Sequence, residues 1–237
     1  MSVRTLSPRF GAKTRIASRI AQSFGSGYAR YIEPCVGGGS VLLAAIRSGC
    51  AREYFASDSD LWLIGFYKRL QSDPDGVCEF MARGYSRFKS MLIEQQRAQL
   101  KQWRESECCV QRSMATRNSF MNDSSTPRGV GVDGLHALAR EIANVRFACR
   151  SIDAVECDRG DLVFIDPPYA GTKTKGYSSV NSDCNWLRLW NSNARVLLTY
   201  DRVPDSVLQE QIVWKTDLTM PNKRQNTRTE ILMQNRD

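Results

Sequence analysis

The sequence predicts an α/β fold: a doubly wound, mostly parallel, Rossmann-like sheet carrying a mainly helical insertion. Three stretches predict it. Residues 31–40 run from a short apolar strand through Gly37-Gly38-Gly39 into a helical pattern. Residues 53–56 read as a second strand, followed at once by the acids Asp58 and Asp60. Residues 162–165, Leu-Val-Phe-Ile, stop abruptly at Asp166-Pro167-Pro168-Tyr169. An apolar run without polar alternation suits a strand buried on both faces, as central parallel strands are. Neither proline can donate to a ladder, so the strand ends there. In open sheets of this kind ligands bind just beyond the carboxyl ends of the strands, which places Asp58, Asp166 and Tyr169 at the crevice.

Taken in order, residues 14–24 carry Ile16, Ala17, Ile20, Ala21 and Phe24 at helical spacing, and Gly25-Ser26-Gly27 stops that helix. Gly11 and Lys13 precede it; they either bring an ammonium to an anionic ligand or make a plain turn. After the triple glycine, residues 41–47 form a helix that ends at Gly49. Three glycines between strand and helix allow a close backbone approach that a side chain would block. The spacing is not that of a P-loop. Of the two acids after the second strand, Asp60 suits the cap of the next helix, 61–70, and Asp58 suits hydrogen bonds from a ribose.

From about residue 84 to 150 the pattern changes to polar, basic helices carrying Arg87, Lys89, Arg97, Lys101 and Arg104, with Trp103 among them. A loop-like stretch, 112–133, follows. Its Arg112, Arg117 and Arg128, together with Asn118 and Asn122, suit phosphates and base edges. The sheet then resumes with strands at 145–149, 162–165 and 195–199. A polar loop, 171–183, holds Lys173, Lys175 and Tyr177 and is expected to close over a substrate. Residues 211–215 and 229–234 make an antiparallel hairpin at the sheet edge. The expected division is a catalytic domain of 1–82 and 145–237, with 83–144 as the recognition insertion.

The composition narrows the chemistry. A net charge of +8 suits a polyanionic partner. Eight cysteines lie scattered without metal-type spacing, which fits a reduced, cytoplasmic protein with no metal. The single histidine, His136, sits in a helical stretch at 133–143, so Ser-His-Asp chemistry and multi-histidine metal centres are excluded. The N-terminus has no apolar h-region, and no run approaches a membrane span.

With these pieces in place the chain resembles the adenine-specific DNA methyltransferases of the group typified by the bacterial deoxyadenosine methylase that modifies GATC. The matching motifs are PRFGAK, IEPCVGGGS, ASDSDLWLIGFY, FIDPPY and TEILMQN, and RNSFMNDSSTPRG is similar to the family's Asn-rich recognition hairpin. The resemblance implies S-adenosylmethionine as cofactor, held by Arg9, Lys13, Glu33, Gly37, Gly39, Asp58 and Asp153. It also implies that Asp166 is shared between cofactor and target base, and that Tyr169 stacks on a base turned out of double-stranded DNA. The Pro167 carbonyl and the Asp166 carboxylate would accept from the adenine amine. The implied partner is duplex DNA, bound by a monomer or weak dimer. The family commonly has a Trp near Arg9, a Gly where this chain has Ala12 and a Phe where it has Cys35. An RNA adenine methyltransferase and a catalytically silent DNA-binding protein of the same fold are the alternatives.

Overall fold

A computed structural model of the chain describes residues 5–7, 12–120, 123–127, 134–168, 186–219 and 227–235. The first helix, α1 (Ala17–Gln22), is shorter than the periodicity predicts. The cause is a tight turn before it, in which the Lys13 carbonyl accepts from the amides of both Ile16 and Ala17. Strand β1 (Tyr28–Glu33) leads through the glycines into α2 (Ser40–Ser48), which begins straight after Gly39 at φ 69° and stops at Gly49 at φ 64°. Both angles lie in the left-handed region that glycine tolerates best. Strand β2 (Ala51–Asp58) is followed by α3 (Leu61–Ser72), and Asp60 caps that helix by accepting from the amides of Trp62 and Leu63 at 2.9 and 3.0 Å. The expected division of labour between Asp58 and Asp60 therefore holds for the cap.

Next in the chain come α4 (Pro74–Lys89), α5 (Ile93–Glu105) and α6 (Cys109–Asn118), then a small antiparallel pair, β3 (Ser119–Phe120) and β4 (Asp123–Pro127), and α7 (Leu135–Glu141). Pro74 opens α4 where its missing amide costs nothing, and Asp73 accepts from the Gly76 amide. Residues 82 and 83 both lie inside α4, and α7 packs on both α3 and α4. His136 is exposed on α7, with Nε2 3.0 Å from Asp75 Oδ1.

The remaining elements are β5 (Val145–Cys149), β6 (Leu162–Ile165), the short α8 (Leu187–Trp190), β7 (Arg195–Tyr200), β8 (Ile212–Thr219) and β9 (Thr227–Gln234). The main sheet has seven strands in the order β5-β2-β1-β6-β7-β9-β8. All neighbours are parallel up to β7, and β9 then runs antiparallel to both β7 and β8. The hairpin lies at the sheet edge as expected, with both strands longer than their apolar patterns.

Alternation along each strand feeds two cores. Tyr31, Phe164, Leu197 and Leu232 face the side packed by α1, α2 and α3. Ile32, Val163, Ile165, Val196, Leu198 and Met233 face the side of Trp186, Leu189 and Trp190. Burial on both faces is why residues 162–165 show no polar position.

Arg195 ties these layers together at the start of β7. It donates to the carbonyls of Ser23 and Phe24, to the Tyr28 hydroxyl and to Gln234 Oε1, all between 2.6 and 3.1 Å. Arg195→Met leaves the carbonyls at the end of α1 without that donor. Urea melts are expected to show a loss of about 3 kcal/mol, and a loss below a third of that would show the α1 terminus is held by packing alone.

Candidate active site

Five strands bring polar side chains to one edge of the sheet, all on the same face. Two residues beyond a core position on a strand, a side chain emerges on the same side. Glu33 follows Tyr31 in this way, Asp58 follows Ala56, Asp166 follows Phe164 and Thr199 follows Leu197, while Glu230 precedes Leu232 on the reversed strand. The carboxyl ends of β1, β2, β6 and β7 and the start of β9 therefore converge over α1.

Asp166 is at the centre. Lys13 Nζ lies 2.7 Å from both of its carboxylate oxygens, and Thr199 Oγ1 donates to Oδ1 at 2.9 Å. Glu230 Oε2 stands 3.7 Å from the same ammonium. Lys13 and Glu230 are buried, and the Asp166 side chain keeps 19% exposure, so the acid is the member of this cluster that a ligand can reach. Lys13 was expected beside a cofactor or an anionic ligand; the anion it meets is Asp166. Thr199 and Glu230 were missed by motif reading. The two-residue alternation described above is the signal that finds them.

Glu33 is buried and accepts from the Tyr31 hydroxyl at 2.6 Å. Burial, and then the charges of Asp166 and Asp58, push its carboxyl well above its ordinary 4.5, against the Tyr31 hydrogen bond and Lys13. A raised carboxyl binds its proton more tightly in the folded chain, so its contribution to stability is complete below 4.5 and is lost as pH rises through the folded value. Glu33→Gln retains an acceptor for Tyr31 and removes the charge. Thermal melts from pH 5 to pH 9 are expected to show the variant gaining on the parent as pH rises; parallel curves would refute this account of Glu33.

The glycine loop is built from two different contacts. The Gly37 amide donates to Asp58 Oδ2 at 3.0 Å, and its carbonyl accepts from the Tyr67 hydroxyl at 2.5 Å. Among the described residues, a Cβ on Gly37 would meet nothing closer than the Cys35 carbonyl oxygen at 3.9 Å, an ordinary contact. Gly38 and Gly39 instead receive the chain's own N-terminal segment. The Gly38 carbonyl accepts from the amides of Leu6 and Ser7, a Cβ there would lie 2.7 Å from the Ser7 carbonyl oxygen, and one on Gly39 would lie 2.6 Å from Leu6 Cδ1. Close approach is thus required at two of the three positions, Gly38 and Gly39, in both cases by residues 5–7. Gly38→Ala must push that backbone away, whereas Gly37→Ala meets only the strain of φ 45°, worth about 1–2 kcal/mol. Thermal melts should find the Gly38 variant the less stable of the two.

Asp153 lies exposed in a single 3₁₀ turn after β5, next to β2 in the sheet, with Oδ2 accepting from Ser151 Oγ at 2.9 Å. Pro167 is buried and Pro168 half-buried. Arg9, Tyr169, Asn122 and Arg128 lie outside the described residues, as does the loop 171–183.

Two expected DNA contacts are corrected. Arg117 is buried, and its Nη1 donates to the Leu6 carbonyl at 3.0 Å, which fastens the N-terminal segment to α6. Burial lowers its pKa. Asn118 is buried too, donating to the Met114 carbonyl. Both face inward because α6 packs on α3 and α5. Arg112 is half-buried, donates to the Ser106 carbonyl and stacks its guanidinium 4.2 Å from the Trp62 ring centroid. Arg87, Lys89, Arg97 and Lys101 are exposed on α4 and α5, while Trp103 is buried against Phe88.

No group of His, Cys, Asp and Glu among the described residues could hold a metal ion, and no described helix is long and apolar enough to cross a membrane. The cluster sets the carboxylates of Asp58, Asp166 and Glu230, beside the proton-retaining carboxyl of Glu33, against the Lys13 ammonium. That donor set, with the glycine at 37, fits a cationic ligand carrying hydroxyls.

Counted within the main sheet alone, the strand order is 3-2-1-4-5-7-6, a doubly wound, mostly parallel, Rossmann-like sheet. Residues 10–111 match the family model of the D12 class N6 adenine-specific DNA methyltransferases; the match takes in the glycine loop and Asp58 and ends before Asp166. No curated protein matches the chain. Among solved structures, a Pyrococcus horikoshii protein provisionally described as an RNA methyltransferase, PH1948, is similar at 12% identity and TM-score 0.49, covering 97% of this chain and 87% of its own. An rRNA methylase from Streptococcus thermophilus is similar at 7% identity and TM-score 0.43, with coverages of 96% and 98%. A SAM-dependent O-methyltransferase from Thermotoga maritima is similar at 12% identity and TM-score 0.41, with coverages of 95% and 66%.

Proposed function

We propose that this chain, with a Rossmann-like sheet and a D12-class match over residues 10–111, is a site-specific DNA methyltransferase acting on the exocyclic amine of adenine in duplex DNA. The observation that carries this reading is Asp166: a half-buried carboxylate at the carboxyl end of a central strand, gripped by Lys13 and Thr199 and followed by two prolines.

S-adenosylmethionine, when bound, supplies an electrophilic methyl group on a sulfonium. Asp58, the Gly37–Gly39 loop and Glu33 are the residues that would hold it, and the surplus of carboxylates suits its positive charge. Asp153 would meet its adenine. The target amine is a poor nucleophile because its lone pair is delocalised into the ring. Asp166 and the Pro167 carbonyl accept its two protons, which holds the nitrogen towards pyramidal geometry and aims the lone pair at the methyl carbon. Bound here, the cofactor would give up that methyl and leave as a neutral thioether, and the extra proton on nitrogen would pass to solvent. Asp166 need not be a strong base, since the methylated ammonium is acidic. Positioning of the amine by this chain's own residues would supply much of the acceleration. The base has to leave the stack, because the amine is otherwise out of reach of this edge of the sheet. The Tyr169 ring would then hold it. Exposed Arg87, Lys89, Arg97 and Lys101 replace the two buried residues as phosphate contacts.

The test is transfer of labelled methyl from S-adenosylmethionine to unmethylated duplex DNA and to RNA, side by side, followed by nucleoside analysis. N6-methyldeoxyadenosine is expected. Label in RNA alone would move the protein to RNA adenine methylation, and label in neither would leave a silent binder.

A further inference from the structure

The cluster around Asp166 contains a residue whose chemistry the fold does not require. Thr199 is the next-to-last residue of β7, fully buried between Leu198 and Tyr200. Valine has the same shape and carries no polar group to desolvate, so a threonine here needs a partner for its hydroxyl. One acceptor within reach is the Ile165 carbonyl at 3.4 Å; the shorter contact, 2.9 Å, is to Asp166 Oδ1.

The geometry of the other contact shows what that hydrogen bond adds. Lys13 Nζ is equidistant from Oδ1 and Oδ2, at 2.7 Å each. An ammonium so placed does not distinguish one oxygen from the other, and a half-turn of the carboxylate about its Cβ–Cγ bond, which merely exchanges them, leaves that pattern unchanged. That torsion is intrinsically broad for aspartate. Lys13 therefore holds the carboxylate without choosing between its oxygens. Thr199 bonds Oδ1 alone and so singles out one oxygen and with it one orientation.

We propose that Thr199 is a positioning residue for the methyl transfer: its hydroxyl holds the plane of the Asp166 carboxylate so that an acceptor lone pair points at the adenine amine. This inference rests on the function proposed above. Threonine at 199 acts through Asp166 and touches neither base nor cofactor, so its loss affects turnover and leaves binding intact. The neighbouring strands supply the rigidity that such aiming needs, because Ile165 and Leu198 are paired in the parallel ladder immediately before the two residues.

The experiment compares the parent with Thr199→Val and Thr199→Ser in steady-state methylation. It also records the carboxyl carbon signal of Asp166 in protein labelled at aspartate Cγ, assigned by its loss in Asp166→Asn. Thr199→Val is expected to lower kcat by about 10–100-fold, the scale of a misaimed catalytic group. The KM for S-adenosylmethionine should stay within about twofold, and Thr199→Ser should recover kcat to within about threefold of the parent. The Asp166 signal should move in Thr199→Val and return in Thr199→Ser. An unchanged kcat and signal in Thr199→Val would overturn the proposal, as would a serine variant as slow as the valine one, because that pattern reports methyl packing. Should the parent methylate no nucleic acid at all, the proposed function falls while the Asp166 signal still decides whether Thr199 orients the carboxylate.

Discussion

Asp166→Asn is expected to lower the rate of methyl transfer to DNA by at least 10²–10³-fold, on the order of what one well-placed electrostatic partner contributes at a reacting centre. The substitution is nearly isosteric, so Thr199 keeps an acceptor and the end of β6 keeps its shape. What changes is the edge offered to the target. A carboxylate accepts at both oxygens, whereas an amide accepts at one and donates at the other. Lys13 lies 2.7 Å from both oxygen positions, so in either orientation the amide nitrogen faces its ammonium. With the carbonyl oxygen turned to Thr199, that nitrogen also faces the adenine amine, donor against donor; turned the other way, it faces the Thr199 hydroxyl. Neither orientation serves both neighbours. The loss should therefore fall on kcat more than on the KM for S-adenosylmethionine, measured beside a circular dichroism spectrum that confirms the fold. Activity above a tenth of the parent would remove Asp166 from the chemistry.

The frame of the site was legible in the sequence because its signals are local. A triple glycine, an acid at the end of a strand and an apolar run stopped by two prolines each declare themselves within ten residues. The extent of α4 was less legible, because a continuous amphipathic helix carries no punctuation within it. The inward turn of Arg117 and Asn118 was hidden for a related reason: a basic, amide-rich stretch has the composition of a nucleic-acid surface, but which side of α6 faces α3 and α5 depends on tertiary packing. Gly38 and Gly39 illustrate a third limit. Their need for hydrogen at Cα was evident, yet the approaching group is residues 5–7, and nothing in the local pattern distinguishes the chain's own backbone from a ligand. Thr199 and Glu230 were recoverable in principle, since each stands two residues from a core position on its strand, but only once the register of five strands is known.

Lys13→Met is expected to destabilise the protein by about 3–5 kcal/mol, the range for removing one partner of a buried ion pair. Lys13 is 5% exposed and Glu230 3%, so the cation and one of its acids are shielded from water and salt. Methionine fills much of the same volume, which separates lost charge from lost packing. Its arrival leaves Asp166 and Glu230, both within 4 Å of the former ammonium, repelling each other with less water between them. Lys13→Arg keeps the charge, but its planar fork cannot occupy the slot of a compact ammonium equidistant from two oxygens, so it should recover only part of the loss. The pairing itself is read from a double-mutant cycle. Glu230→Gln in the Lys13→Met background removes the repulsion and should restore roughly 1–2 kcal/mol, an interaction energy of the size seen for residues sharing one network. Purely additive effects would mean that Glu230 is buried for reasons unconnected with Lys13. The same melts report on function, because an ammonium held by two acids beside a cofactor for which this face of the sheet is already negative has a second consequence. Its removal makes the pocket more negative while weakening the fold, so binding of S-adenosylmethionine should tighten or hold steady even as the midpoint of unfolding falls.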